Sequence, residues 1–566
     1  MDSHEGGQMA RSPIADDHVD ALTGLPGFAL FRQEVNDLLR GIVPNADGAR
    51  HAIAFFNIEN FKHYNQRYGY SAGDELISRL ARSITDAFPD SARARFSVDQ
   101  FVVLVRLDDL HDGVMAVRGA FRREHKDTTI WLRVGYYVLG TEDLDAGVAC
   151  DHAKVACDEL RGRRDSFMRE YDDELRHKIT WRRYVLEHFE EALEKGWIQA
   201  YCQPIIRVAS GETCDVEVLA RWHDPVEGLV SPLEFVSVLE DARLVHKLDL
   251  AILRDVCRTC HELEATGEPY IPFSINLSRL DFELCDIVTE VEAVLEEYGI
   301  PRERVAIEIT ESALTGNQEF LGAEVQRFRD AGFEVWMDDF GSGYSSLNVL
   351  KDYTFDLVKI DMVFLRGFES MANARVMLAK VIDMVKELGI KTLVEGVETA
   401  EQYEFLRALG CGRVQGFLFG RPRPMPASIE AVSNDAHPPV EPLGKHEFYE
   451  EIGRVNLMRP DPHPSVNGHY LPSDVAACII RKRGERFEHL NVNDLYVKFR
   501  SEVGDDFSPE FADAVDRCIA SNDWEHYLVS LDHHRYAVRV RCITQAKGFD
   551  AVGILAVVDE YFRAGA

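Results

Sequence analysis

The sequence has no apolar run long enough to cross a bilayer. Its opening stretch, Met1–Asp17, is polar and lacks the apolar segment of a signal peptide, so a disordered tail is expected over 1–17. It also has no excess of positive charge. Against 63 Lys and Arg stand 96 Asp and Glu, a formal net charge of −33. So acidic a surface disfavours nonspecific binding to DNA or to anionic membranes. An anionic ligand would need local Arg, Lys or metal to offset that field. A paired-cysteine framework is missing as well. The 11 Cys are odd in number, and Cys257 and Cys260 form a C-x-x-C in a helix-like run with no second pair. Buried thiols are expected there rather than zinc, and a reducing cytoplasm fits.

What is present is 46% hydrophobic and 28% charged, the balance of a soluble globular chain, and 566 residues predict about three domains. The chain is organised around Phe333–Leu347. Phe333 to Met337 reads as a buried strand that ends by delivering two adjacent carboxylates, Asp338 and Asp339, into a loop built on Gly341 and Gly343. Successive strand residues point to opposite faces, so both Asp can converge only where the strand is ending. Two such charges repel unless a cation lies between them.

Four other segments pair an apolar strand with polar groups: Asp215–Trp222 with Glu217 and Arg221, Pro272–Ser278 with Asn276, Val305–Glu311 with Glu308, and Thr392–Glu398 with Glu395. Lys359 and Gln415 sit in two further short strands. In Val305–Thr310, alternation puts Glu308 and Thr310 on the face opposite Val305, Ile307 and Ile309. Helix-like stretches such as Leu284–Tyr298 and Ala374–Leu388 separate the strands, which implies parallel pairing. Charged groups at successive strand ends resemble the C-terminal mouth of a (β/α)8 barrel.

These motifs, with Glu217-Val-Leu as the naming tripeptide, resemble an EAL domain over 181–426, the family that hydrolyses cyclic di-GMP. The resemblance implies two Mg²⁺ or Mn²⁺ ions. Glu217, Asn276, Glu308 and Asp338 would hold one; Asp338, Asp339 and Glu395 would hold the other. It further implies that Lys359 orients the attacking water, that Glu395 is the general base, and that Glu398 and Gln415 complete the site. Gln203 and Arg221 match positions that contact guanine and phosphate. Glu311 matches a residue that holds the Gly341–Gly343 loop and links it to a dimer interface. The departures, at Val218, Val394 and Ser342, lie outside the charged set.

Residues 18–164 resemble a GGDEF domain, the diguanylate cyclase fold, in degenerate form. Its name motif reads Ser97-Val98-Asp99-Gln100-Phe101, and Ser and Val cannot adopt the backbone freedom of two glycines. Asn57 and Gln66 replace a metal-binding and a guanine-contacting Asp. The inhibitory Arg-x-x-Asp would fall at Phe88 and Ser91 and is absent. A cyclase pseudo-enzyme that still binds GTP and a scaffold without ligand both remain open.

Residues 165–180 read as a helical linker, either a solvated helix or a lever between domains. The Pro-rich stretch after the barrel reads as a second linker over 427–464. Residues 465–566 read as strand, strand, helix, helix and three strands, an order that resembles a PAS-like sensory domain; a dimerisation module is the alternative. The expected fold is a multidomain α/β chain: a cyclase-like α+β domain, a (β/α)8 barrel and a C-terminal α+β domain. The expected function is cytoplasmic, metal-dependent opening of cyclic di-GMP to linear pGpG by a homodimer, with a non-hydrolysing cyclic di-GMP receptor as the alternative.

Overall fold

The computed structural model describes all residues except 1–18, 42–49, 125–128, 141–144, 164, 268–270, 316–317, 343–345, 369–370, 426–438, 456, 458–474, 505–506, 532–533, 547–548 and 564–566. The expected tail over 1–17, Gly343 and most of the expected second linker lie outside the described residues. The chain divides into two compact units, Met1–Tyr184 and Val185–Ala566.

The first unit is built on β1 (His51–Glu59), a strand apolar on both faces. Ala52, Ala54, Phe56 and Ile58 pack on one side under the helix Tyr70–Ala87, whose Leu76, Ile77, Leu80, Ala81 and Ile84 follow helical spacing. Ile53 and Phe55 pack on the other side against Phe31, Val35 and the small face of Ala146–Asp158. β1 pairs antiparallel with β3 (Gln100–Arg106) and β4 (Trp131–Val138), and β2 (Arg93–Arg95) and β5 (Met168–Glu170) close the edges in the order β2-β3-β1-β4-β5. The Ser97–Phe101 motif lies at the turn of the antiparallel β2–β3 pair. Within the stretch read as a helical linker, Met168–Glu170 is instead an edge strand parallel to β4, and the helix begins at Asp173.

The second unit opens with a barrel. β6 (Ile198–Arg207), β7 (Thr213–Asp224), β9 (Phe273–Leu277), β10 (Val305–Thr310), β11 (Glu334–Phe340), β12 (Leu357–Ile360), β13 (Lys391–Val394) and β14 (Arg413–Gln415) close on one another, with short edge strands β8 (Gly228–Val230) and β15 (Arg423–Pro424). All-parallel pairing does not hold. β6 runs antiparallel to both β7 and β14, because residues 208–212 are too few for the crossover that a parallel pair requires.

After the barrel come β16 (Ala476–Arg483), β17 (Arg486–Val492), β18 (Glu525–Leu531), β19 (His534–Ala546) and β20 (Ala551–Arg563) in one antiparallel sheet of order β17-β16-β20-β19-β18. The helices Asp494–Val503 and Pro509–Ser521 pack on one face through Tyr496, Phe499, Phe511, Ala514, Val515 and Cys518. The other face takes the helix Leu443–Arg454 through Phe448, Tyr449 and Ile452. That helix falls inside the segment expected to be a linker. Prolines hid an amphipathic stretch whose apolar side is covered by a sheet far along the chain. Cys257 and Cys260 are free and buried, as expected.

Candidate active site

The barrel interior is stacked in layers. The lower layer is apolar and ionic: Ile205, Cys214, Ala306, Trp336, Leu357 and Leu393 pack together there. One step up each strand the lining becomes ionisable. Glu217 lies opposite Gln203 across β6–β7, Asn276 opposite Glu308 across β9–β10, and Thr310 opposite Asp338 across β10–β11.

Lys359 is the centre of this layer. Its Nζ lies 2.6 Å from Glu308, 2.8 Å from Glu395, 3.1 Å from Asp338 and 3.2 Å from Glu217. Burial opposes its charge, but these four carboxylates outweigh burial and hold the ammonium well above its ordinary range. One cation among so many anions leaves an excess of negative charge. Burial, with Asp338 and Glu217 beside it, pushes Glu395 up to about 8 despite Lys359. Burial and Asp338 push Asp339 up to about 6. Burial drives Glu308 far up in the same way. Glu217 goes the other way: burial would raise it, and Lys359, Gln415 and Asn276 together lower it.

Two groupings of oxygens emerge. Glu217, Glu308 and Asp338 bring one carboxylate oxygen each within 4.8 Å of one another, and so do Asp338, Asp339 and Glu395. Asp338 belongs to both. Glu308 Oε1 and Gln415 Oε1 are buried acceptors without a donor. All these donor atoms are hard oxygens, which suits divalent cations such as Mg²⁺ or Mn²⁺. The Asn276 amide donates to Glu217 at 3.2 Å, and Gln415 Nε2 donates to the same carboxylate at 2.6 Å.

Adjacent Asp338 and Asp339 share the site for a reason the sequence pattern missed. The strand does not end before them; β11 runs to Phe340. Its pairing with β12 slips between Met337 and Phe340, and Asp339 takes a left-handed φ of 58°. A bulge of this kind re-aims side chains next to functional sites. Asp339 N–H donates to Asp338 Oδ1 at 2.9 Å, and Glu311 N–H donates to the Asp338 carbonyl at 3.0 Å. The Glu311 carboxylate accepts from Gly341 N–H at 3.3 Å. Gly341 has φ +96°, and a Cβ there would sit 2.2 Å from the Phe364 ring.

Gln203 donates to the Gly420 carbonyl at 3.2 Å at the rim. Arg221 is half-buried, and its guanidinium lies 5.9 Å from the Tyr201 ring. Tyr201 is itself tied to His223 at 2.7 Å, a pair sequence reasoning did not flag. Glu398 is not brought into the cluster: it is exposed, and its backbone N–H is capped by Gln402. Asp361 was legible only as the residue after a strand; it caps Met362–Leu365 through Val363 N–H at 2.7 Å, and its charge raises Asp339.

In the first unit, Asn57 is buried at the end of β1 opposite Gln100. Gln66 lines a cavity of about 580 Å³ with Asn60, His63, Arg67 and Thr129. Arg95 donates to the carbonyls of Ser97 and Val98 and pairs with Asp20 at 2.8 Å, which fixes the turn where the two glycines would stand. Phe88 is core and Ser91 a turn residue.

Comparison with known proteins gives two family matches: the EAL domain over residues 186–422, and the diguanylate cyclase GGDEF domain over 17–166. Among curated relatives, the cyclic di-GMP phosphodiesterase NbdA of Pseudomonas aeruginosa is 29% identical over 75% of this chain and 56% of its own length. The cyclic di-GMP phosphodiesterase PdeR of Escherichia coli is 28% identical over 72% of this chain and 62% of its own. The chain thus spans little more than half the length of the curated relatives it matches. A solved structure of PaMucR phosphodiesterase in complex with cyclic di-GMP is 30% identical over 43% of this chain and 99% of its own, with a TM-score of 0.41.

Proposed function

The chain belongs to the proteins that carry a GGDEF domain followed by an EAL domain, and from that premise we propose that its barrel hydrolyses cyclic di-GMP to linear pGpG. The observation that carries this reading is the pair of acidic triads sharing Asp338 around Lys359.

In this reading Glu217, Asn276, Glu308 and Asp338 hold one divalent ion, and Asp338, Asp339 and Glu395 hold a second. What such ions supply is neutralisation of phosphodiester charge and activation of water. The chain's own residues do the rest. Lys359 carries a fixed positive charge and donates hydrogen bonds, so it can orient a water but not take its proton. Glu395 is the most open of the four carboxylates around Lys359, its side chain 21% exposed where Glu308 is 0%. It is therefore the carboxylate a water on the substrate side can reach as general base. Gln203 and Arg221 at the rim present an amide for a guanine edge and a guanidinium for a phosphate.

The first unit is a degenerate cyclase domain in this account, holding at most a nucleotide such as GTP. The C-terminal sheet is a PAS-like regulatory module, and the assembly is a cytoplasmic homodimer. Incubation of the pure protein with cyclic di-GMP and Mg²⁺, Mn²⁺ or EDTA, with products separated by chromatography, tests the reading. We expect pGpG with either ion and none in EDTA. Cyclic di-GMP that binds but is left intact with both ions would make the barrel a receptor.

A further inference from the structure

Beneath the carboxylate layer lies a second ionic centre that draws on residues outside the matched EAL segment. Arg413 opens β14 and Arg207 closes β6; each side chain is 2% exposed. Lys391 opens β13. These three cations come from the lower ends of three adjacent strands, and all converge on Glu450 of the helix Leu443–Arg454. Arg207 Nη1 lies 2.7 Å from Glu450 Oε1, Arg413 Nη2 bonds the same oxygen, and Lys391 Nζ lies 2.8 Å from Oε2. Burial would raise the Glu450 carboxyl, but Arg413, Arg207 and Lys391 hold it well below its usual range. Each cation also has a second anion: Arg207 has Glu441 at 2.6 Å, Arg413 has Asp215 at 3.3 Å, and Lys391 has Glu334 at 2.7 Å. Glu450 is the carboxylate on which all three meet.

The link to the layer above is short. Along a strand, residues two apart share a face. Arg413 and Gln415 are two apart on β14, and Asp215 and Glu217 are two apart on β7. The Arg413–Asp215 pair thus repeats, one step lower, the Gln415–Glu217 hydrogen bond of the carboxylate layer. Arg413 also lies 5.2 Å from the Trp336 ring, and Trp336 precedes Asp338 by two on β11. β13 carries Lys391 at its lower end and leads straight into Glu395. A buried ion pair leaves little slack, since an unpaired charge there is costly. Fixing the lower ends of such short strands therefore fixes the side chains at their upper ends.

We propose that Glu450 is a positioning residue for the barrel's chemistry: it clamps β6, β13 and β14 from below and so sets the Gln415–Glu217 and Glu395–Lys359 contacts. The helix that carries it belongs functionally to the barrel, although it lies beyond the EAL match at residue 422. Its apolar side packs on the C-terminal sheet, where Arg481 donates to Tyr449 at 2.6 Å. The turnover part of this inference rests on the phosphodiesterase reading; the clamp itself does not.

The test uses the full chain with Glu450→Gln, Glu450→Asp and, as a control, Glu451→Gln, whose carboxylate pairs locally with Arg454 at 3.3 Å. Two readouts are taken well below the melting transition: kcat and KM for cyclic di-GMP, and Mn²⁺ affinity by calorimetry. Because small misplacements at a reacting centre can cost up to about 100-fold, we expect Glu450→Gln to lower kcat roughly 10-fold with KM within about threefold. Mn²⁺ should bind more weakly, Glu450→Asp should recover part of both losses, and Glu451→Gln should match wild type. A purely structural role would lower the melting temperature and leave kcat and Mn²⁺ affinity of the folded protein unchanged; that result overturns the proposal. If Glu450→Gln does not fold, Glu450→Asp decides by the same criteria. If wild type makes no pGpG, the phosphodiesterase reading fails, and Mn²⁺ affinity alone decides: equal affinity in wild type and variant refutes the clamp.

Discussion

Replacing Lys359 by Met removes the ammonium in contact with Glu217, Glu308, Asp338 and Glu395 while keeping the length of the side chain. Lys359 is 1% exposed and Glu308 is 0% exposed, so water cannot take the place of the ammonium at Glu308. Removing one partner of a buried pair costs about 3–5 kcal/mol. At about 2–4 °C per kcal/mol, the barrel transition in EDTA should fall by roughly 6–20 °C. Thermal scans of wild type and variant, followed by near-UV circular dichroism, measure this. A divalent cation should replace the lost charge. At 100 times its dissociation constant it stabilises by about 2.7 kcal/mol, so Mn²⁺ should return roughly 5–10 °C to the variant. Wild type should gain less, because Lys359 already offsets part of the charge. A variant that melts in EDTA within about 2 °C of wild type, a fraction of the shift expected from the pair's cost, would refute the reasoning. So would a variant that gains nothing from Mn²⁺.

Asp338→Ala, which removes the carboxylate common to both triads, should abolish turnover in the chromatographic assay, whereas Glu395→Gln should lose at least the roughly 10²–10⁴-fold typical of a general base. Lys386 is held down to about 8 by burial, and it donates to the Gly410 and Val455 carbonyls. The unfolded chain binds its proton up to about pH 10.5, so between about pH 8 and 10.5 the unfolded state holds more protons and stability rises with pH. Denaturant titrations should show wild type gaining about 3 kcal/mol over Lys386→Met across that window; equal slopes would contradict the buried, depressed ammonium. The first unit should form no cyclic di-GMP from GTP, since Ser97 and Val98 stand in the turn and Asn57 stands where the GGDEF resemblance expects a metal-binding Asp. Product from a chain whose barrel is silenced by Asp338→Ala would overturn this.

Much of the barrel was legible because its chemistry coincides with strand periodicity. Glu308 betrayed itself as the charged residue on the polar face of an alternating strand, and it is fully buried against Lys359. Glu217, Asn276 and Gln415 were legible in the same way. What was not legible has physical reasons. Period-2 alternation assigns Asp338 and Asp339 to opposite faces, and only a left-handed residue with a slipped register reconciles them. The reversed direction of β6 is set by the five residues that follow it, which leave no room for a crossover. Glu398 has the motif but not the geometry: it is exposed beside its capping Gln402. Glu450 fell within the stretch read as a Pro-rich linker, because Arg207, its partner, lies 243 positions away. Long-range ion pairs of this kind leave no local signature.

The most direct test is a single-turnover measurement with the full chain in excess over cyclic di-GMP in Mn²⁺, quantifying pGpG against time. Wild type should convert all of the cyclic di-GMP to pGpG. Cyclic di-GMP that stays bound and intact when the enzyme is saturating would contradict it, and would leave Lys359 and Glu395 without the catalytic roles assigned to them.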